Sequence, residues 1–181
     1  MDILINNKIV NFNKEDFPML ISGTPSAGSS FFSIVIMINL FKQGEKIILF
    51  SAYEQAKDLF REQFGGILNE NALIIKSGDD NLFLSQLDKT QDLSERIVLY
   101  KNIDNYDSKL FNKLKDKELI IFSGNLDKCE FGEKLMKKEF KTKIFFSYPE
   151  KFEIENKIEL PKYHGHIVSN KYNGLISILK S

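Results

Sequence analysis

Tryptophan is absent from this 181-residue chain, cysteine occurs once, and only two of its 25 basic residues are arginine. Each scarcity removes a class of explanation. A single cysteine, Cys129, cannot build an internal disulfide framework and fits a reducing compartment. Net charge is missing too, because 25 acidic residues balance the basic ones. No basic field draws in nucleic acid, and no acidic field attracts a cationic partner. The 16 phenylalanines and 6 tyrosines mostly occupy strand and helix core positions. They form no aromatic-and-basic strip on which single strands stack. Long apolar runs are lacking as well. The longest, Phe31–Phe41, is interrupted by Ser33 and Asn39 and is too short to span a bilayer. The opening residues lack the charged region and apolar run of a signal peptide. A soluble cytoplasmic protein is expected, folded as one domain over residues 1–181 with no linker, repeat or low-complexity block.

What is present is organised around Phe17–Leu40. The apolar run Met19-Leu20-Ile21 stops at Ser22 and is followed by Gly23-Thr24-Pro25-Ser26-Ala27-Gly28-Ser29-Ser30, then by a long apolar segment. Strand, glycine-bounded loop and helix is the arrangement that holds a phosphate, because backbone N–H groups turn inward and the helix N-terminus adds positive dipole. Gly23, Gly28 and Ser30 satisfy the spacing G-x-x-x-x-G-K-[ST], but Ser29 stands where the lysine belongs. The same eight residues also suit a plain strand-to-helix turn capped by Ser29 or Ser30.

Along the chain, residues 1–12 read as a hairpin, Ile3–Ile5 and Lys8–Val10, turning on Asn6-Asn7. Strands are expected at Phe17–Ser22, Lys46–Ser51, Leu73–Ile75, Arg96–Tyr100, Glu118–Ser123 and Lys143–Phe146, those at Phe17–Ser22 and Arg96–Tyr100 buried. Helices are expected at Phe31–Phe41, Tyr53–Phe64 before Gly65-Gly66, Asn81–Asp88 after Ser77-Gly78-Asp79, Ser108–Lys115 and Phe131–Phe140. Residues 152–181 change character. Ile158–Leu160, Tyr163–Ser169 and Leu175–Leu179 suggest a terminal meander turning at Asn173-Gly174. The alternation predicts a mostly parallel α/β sheet with helices on both faces and an antiparallel end. The first helix is apolar on every face, so either the meander or a second subunit must cover it.

The order of these pieces resembles the RecA/KaiC/RadA branch of P-loop ATPases from about Phe17 onward. The landmarks are Ile21–Ser30, the step Gln43-Gly44-Glu45-Lys46, the strand end Ser51-Ala52-Tyr53-Glu54-Gln55, and Lys162-Tyr163-His164-Gly165, which is similar to that branch's Lys-x-Arg-Gly element. The resemblance implies a RecA-like fold, a nucleotide over Gly23–Ser30, and a magnesium-binding aspartate at the end of Ile97–Tyr100. That next position is Lys101, and the arginine of the late element is His164. Three charged parts are thus altered together. The resemblance also implies side-by-side assembly, as a homo-oligomer or with an active relative.

Function follows from those substitutions. The expectation is a catalytically inactive pseudo-ATPase that regulates or supports a partner, with no cofactor beyond residual phosphate or nucleotide on the loop. The alternative is an unconventional ATPase whose cation comes from Lys101 or a neighbouring subunit's Lys162. Lys101 is otherwise read as a solvated strand-end lysine with a packed stem. Glu54 reads as a first-turn helix acid or a remnant of a water-activating glutamate, and Asp104 and Asp107 as loop acids or a displaced magnesium site. His164 and His166 have one-face strand spacing but no further ligands for zinc, so they are read as surface residues. Cys129, beside Lys128 and Glu130, reads as an ordinary thiol. No G-x-S-x-G elbow supports a serine hydrolase.

Overall fold

The computed structural model of the chain describes residues 1–51, 58–59, 71–76, 80–101, 103 and 108–179. Its strands are β1 (Asp2–Ile5), β2 (Lys8–Val10), β3 (Met19–Ser22), β4 (Ile47–Ser51), β5 (Ala72–Lys76), β6 (Ile97–Lys101), β7 (Ile120–Gly124), β8 (Thr142–Phe145), β9 (Gly165–Ser169) and β10 (Asn173–Leu179). Its helices are α1 (Ser29–Lys42), α2 (Asp80–Lys89), α3 (Ser108–Leu114) and α4 (Gly132–Lys137). The expected helix Tyr53–Phe64 lies outside the described residues except for Asp58 and Leu59. Gly65-Gly66, Ser77-Gly78-Asp79, Glu54, Asp104 and Asp107 lie outside them altogether.

One sheet contains all these strands, in the order β2-β1-β10-β9-β8-β3-β7-β6-β4-β5. From β8 to β5 the strands are parallel, and from β8 back to β2 they are antiparallel. Every residue of β3 and β6 is buried, as runs covered on both faces must be. Side-chain alternation divides the sheet into two cores. Met19, Ile21, Ile47, Leu99 and Ile121 pack with α1 on one face. Leu20, Phe50, Val98, Tyr100 and Phe122 pack on the other, with Phe83 of α2, Leu110 of α3 and Leu135 of α4. The expected α/β architecture, helices on both faces with an antiparallel end, is the one observed.

Cover for α1 comes from the chain itself. Phe32, Ile34, Val35, Ile36, Met37, Ile38 and Leu40 are all buried, sharing a core with Ile3, Ile5, Phe12, Ile167 and Ile176. The hairpin and the antiparallel strands therefore supply the enclosure, and the all-round apolar helix gives no reason to invoke a second copy. Among the described residues no helix is long and apolar enough to cross a membrane.

The terminal meander differs from expectation in two places. Ile158–Leu160 is irregular, because the Tyr148 hydroxyl accepts from the Ile158 N–H at 2.9 Å and engages its carbonyl at 3.3 Å. Asn173-Gly174 is not the turn but the start of β10, opposite Val168 and Ile167. The turn lies earlier, where the Ser169 Oγ accepts from the N–H groups of Lys171 (3.2 Å) and Tyr172 (2.8 Å). The expected helix Phe131–Phe140 is also shorter, stopping at Lys137 where Lys138 turns extended.

Candidate functional site

The residues Gly23–Ser30 join β3 to α1 at the C-terminal end of the parallel strands. Thr24-Pro25-Ser26-Ala27 closes a tight turn in which the Ala27 N–H donates to the Thr24 carbonyl at 3.1 Å. Pro25 sets the second position and Ser26 takes the third with φ 67°, the pattern of a type II turn. Two more donors of the loop are taken by the protein. The Gly23 N–H donates to the Gly124 carbonyl at 3.2 Å, and the Thr24 N–H to the Ser147 Oγ at 2.7 Å. Gly28 enters the helix with φ 108° and no side-chain cap, so the cap expected from Ser29 or Ser30 is not formed. The helix ladder begins with the Phe32 N–H on the Gly28 carbonyl at 2.9 Å. The N–H groups of Ser29, Ser30 and Phe31 precede it and point beyond the helix end.

The loop is therefore half committed. Its first donors, including that of Ala27, serve the protein, and only the helix end keeps the character of an anion cradle. Ser29, at the lysine position, is 4% exposed. A Cβ on Gly23 would stand 2.9 Å from the Ser29 Oγ and 3.0 Å from the Phe146 Cβ. The close approach of these groups is what requires glycine at residue 23. Thr24, Pro25 and Ser26 are exposed, whereas Ala27, Gly28 and Ser30 are half-buried.

Below this loop, on the face that packs against α1, lie Lys101 and Ser123. Ser123 of β7 stands between Ile21 of β3 and Lys101 of β6 in the sheet register. Alternation puts Lys101 with Leu99, and Ser123 with Ile121, toward α1. The reading of Lys101 as a solvated strand-end cation is corrected: the residue is 2% exposed. The cause is its strand, which lies between β7 and β4 rather than at an edge. Burial alone pushes the ammonium down to about 8, still leaving it mostly charged at neutral pH. The Ser123 Oγ is buried with no hydrogen-bond partner among the described residues. Among those residues no cluster of His, Cys, Asp and Glu could hold a metal ion.

The remaining candidates are dispersed. His166 is 1% exposed, not a surface residue, because β9 carries it inside the sheet. Its Nδ1 meets the Tyr148 hydroxyl at 2.8 Å and its Nε2 the Asn173 Oδ1 at 3.1 Å. His164 sits in the preceding turn, its N–H on the Pro161 carbonyl at 3.0 Å. Lys162 is exposed, its ammonium 4.9 Å from the Tyr163 ring centre. Cys129 packs into the second core. Sequence reasoning passed over Ser123, Phe146 and Ser147. One signal was there for Ser123: apolar-Ser-Gly ends both β3 (Ile21-Ser22-Gly23) and β7 (Phe122-Ser123-Gly124).

No protein-family model matches the sequence, and no curated protein matches it. Solved structures do. EssC (ATPases 2 and 3) from Geobacillus thermodenitrificans superposes with a TM-score of 0.63 at 17% identity, over 96% of this chain and 39% of that one. The flagellar accessory protein FlaH from Methanocaldococcus jannaschii superposes with a TM-score of 0.54 at 15% identity, over 86% of this chain and 78% of that one. The chain thus spans well under half of the EssC chain it matches. At these identities the likeness is one of fold alone, the α/β fold shared with the ATPase domains of EssC and with FlaH.

Proposed function

We propose that this chain is a RecA/KaiC-like protein without ATPase turnover, one that acts by binding as a regulatory or structural partner. One observation carries the reading. A buried, neutral Ser29 stands at the position of the phosphate-loop lysine, while a buried cation, Lys101, stands at the position of the metal-binding carboxylate. Phosphoryl transfer depends on positioning and charge stabilisation. A metal held beside Lys101 would meet a repulsion of about 4 kcal/mol per unit charge at 4 Å in a medium of effective dielectric 20. Assembly with itself or with an active relative belongs to the same proposal, and it rests on the resemblance alone.

Incubation with Mg²⁺ and ATP or GTP is expected to release phosphate no faster than buffer. Ser29→Lys alone should stay at background because Lys101 remains. Ser29→Lys combined with Lys101→Asp is the variant in which turnover could reappear. Steady wild-type hydrolysis that disappears in Ser30→Ala would overturn the reading. A second reading, an unconventional ATPase, is favoured by the burial of Lys101 on the loop's own side of the sheet. It requires wild-type turnover that Lys101→Met abolishes, so the same assay separates the two.

A further inference from the structure

The outermost strand of the antiparallel half is β2, which among the described residues pairs only with β1. Its hairpin fixes which of its backbone groups face outward. Asn6 and Asn7, with φ of 48° and 65°, form a two-residue turn, so the flanking Ile5 and Lys8 exchange both of their hydrogen bonds. Ile3 and Val10, two positions further on, do the same. Leu4 and Ile9 fall between them. The Ile9 N–H and carbonyl therefore point away from β1, off the edge of the sheet. Ile9 itself is 63% exposed. Ile3 and Ile5 face α1, so Ile9 shares the opposite face with its cross-strand neighbour Leu4 and with Ser177 beyond it. A proline, a bulge or a central charge commonly blunts such an edge. Here the register from Ile5–Lys8 to Ile3–Val10 is unbroken and an isoleucine occupies the middle. Only shortness limits this edge.

We propose that β2 pairs with β2 of a second copy of this chain, antiparallel about a two-fold axis at Ile9, so that two sheets join into one. The strand is self-complementary in that register. The two Ile9 residues lie opposite each other, each donating its N–H to the other's carbonyl. Lys8 of each copy lies opposite Val10 of the other, so the two ammonium groups stand diagonally rather than against each other. The apolar row Leu4–Ile9 continues across the axis, and both exposed isoleucines leave water. A strand from another protein would have to match this spacing, whereas a second copy supplies it by symmetry. With 25 acidic and 25 basic residues, the copies carry no net charge to hold them apart. Three residues of edge bury less than a standard interface, which places the contact in the weak, concentration-dependent class. The inference goes beyond the reading of the loop and does not depend on it. The contact is isologous and closes at two copies.

Sedimentation equilibrium of the full chain from about 10 μM to about 1 mM is expected to show monomer passing into dimer. Ile9→Pro removes the outward N–H and leaves the β1–β2 ladder bonds in place, as a solvent-facing edge position allows. Ile9→Lys sets two charges directly opposite each other. Each should weaken dimerisation at least about tenfold, with circular dichroism confirming that the monomer stays folded. Cross-linking reads the register. Ile9→Cys places two thiols on residues whose Cα atoms are about 5.5 Å apart, within disulfide reach, and Cys129 is buried. Under mild oxidation this variant should link at least about tenfold faster than Leu82→Cys, which carries its thiol at an exposed position on α2. The proposal is overturned by a monomer throughout the range, by association that Ile9→Pro and Ile9→Lys leave unchanged, or by Ile9→Cys linking no faster than Leu82→Cys. Should Ile9→Pro fail to fold, Ile9→Lys and the cross-linking pair still decide. ATP turnover would defeat the inactive reading of the loop, whereas a strict monomer without turnover defeats only this inference.

Discussion

Lys101 is the residue at which burial and charge conflict most directly. Burial lowers its ammonium from the ordinary 10.5 to about 8. Between those values the unfolded chain keeps a proton that the folded chain has released. Stability must then rise with pH across that window, by up to about 1.4 kcal/mol per pH unit from this site. Urea midpoints measured from about pH 7.5 to about pH 9.5 are expected to climb, and Lys101→Met to climb less. Lys117, lowered to about 8 by the same cause, adds a slope of the same sign, so the double variant should be flattest. Identical profiles for wild type and Lys101→Met would show that the ammonium is solvated after all. His166 holds its place differently, since both ring nitrogens have partners on neighbouring segments.

At the scale of elements, the unit β3–loop–α1 depends on contact as much as on backbone conformation. Phe146 lies beside the loop, its ring centre 5.1 Å from that of Phe32. A methyl on residue 23 would stand 2.9 Å from the Ser29 Oγ, 3.1 Å from the Ser29 Cβ and 3.0 Å from the Phe146 Cβ. Gly23→Ala is expected to cost about 1–3 kcal/mol, as overpacking of a tight interior does. Adding Ser29→Ala removes the hydroxyl but neither Cβ, so it should restore part of that loss and no more. Denaturation of both single variants and the double one gives the coupling. Strict additivity would mean that residue 29 does not limit the loop.

On the scale of the molecule, the two ends of the chain close the sheet together, with β1 lying between β2 and β10. Asn6 is the fastening. Its Nδ2 donates to the Asn173 carbonyl at 3.1 Å, and its Oδ1 accepts from the Leu175 N–H at 3.1 Å. The amide occupies the space a side chain on Gly174 would need, and Gly174 has φ 137°. Gly174→Ala is expected to destabilise by about 2 kcal/mol or more. It should also loosen β1 from β10, leaving an unpaired edge prone to association. Urea denaturation and light scattering measure the two effects. In an Asn6→Ala background the same substitution should cost less, because only the backbone strain remains.

Much of this was legible in residues close together in the chain. The loop follows from glycine spacing after an apolar run. The hairpin follows from Asn6-Asn7, which take positive φ of 48° and 65° as such a two-residue turn requires. The α/β class follows from strand and helix patterns that alternate locally. Asn173-Gly174 carried the same kind of local signal, yet it was overridden by the side chain of Asn6, 167 residues away from Asn173. The solvated reading of Lys101 failed for a related reason, since exposure depends on which strands flank β6. Strand order and register also place Ser123 beside Lys101. Sequence by itself determined the local conformations, because propensity and turn geometry act over a few residues. The tertiary structure alone decided which polar groups lose water, because desolvation depends on what the rest of the chain brings against them.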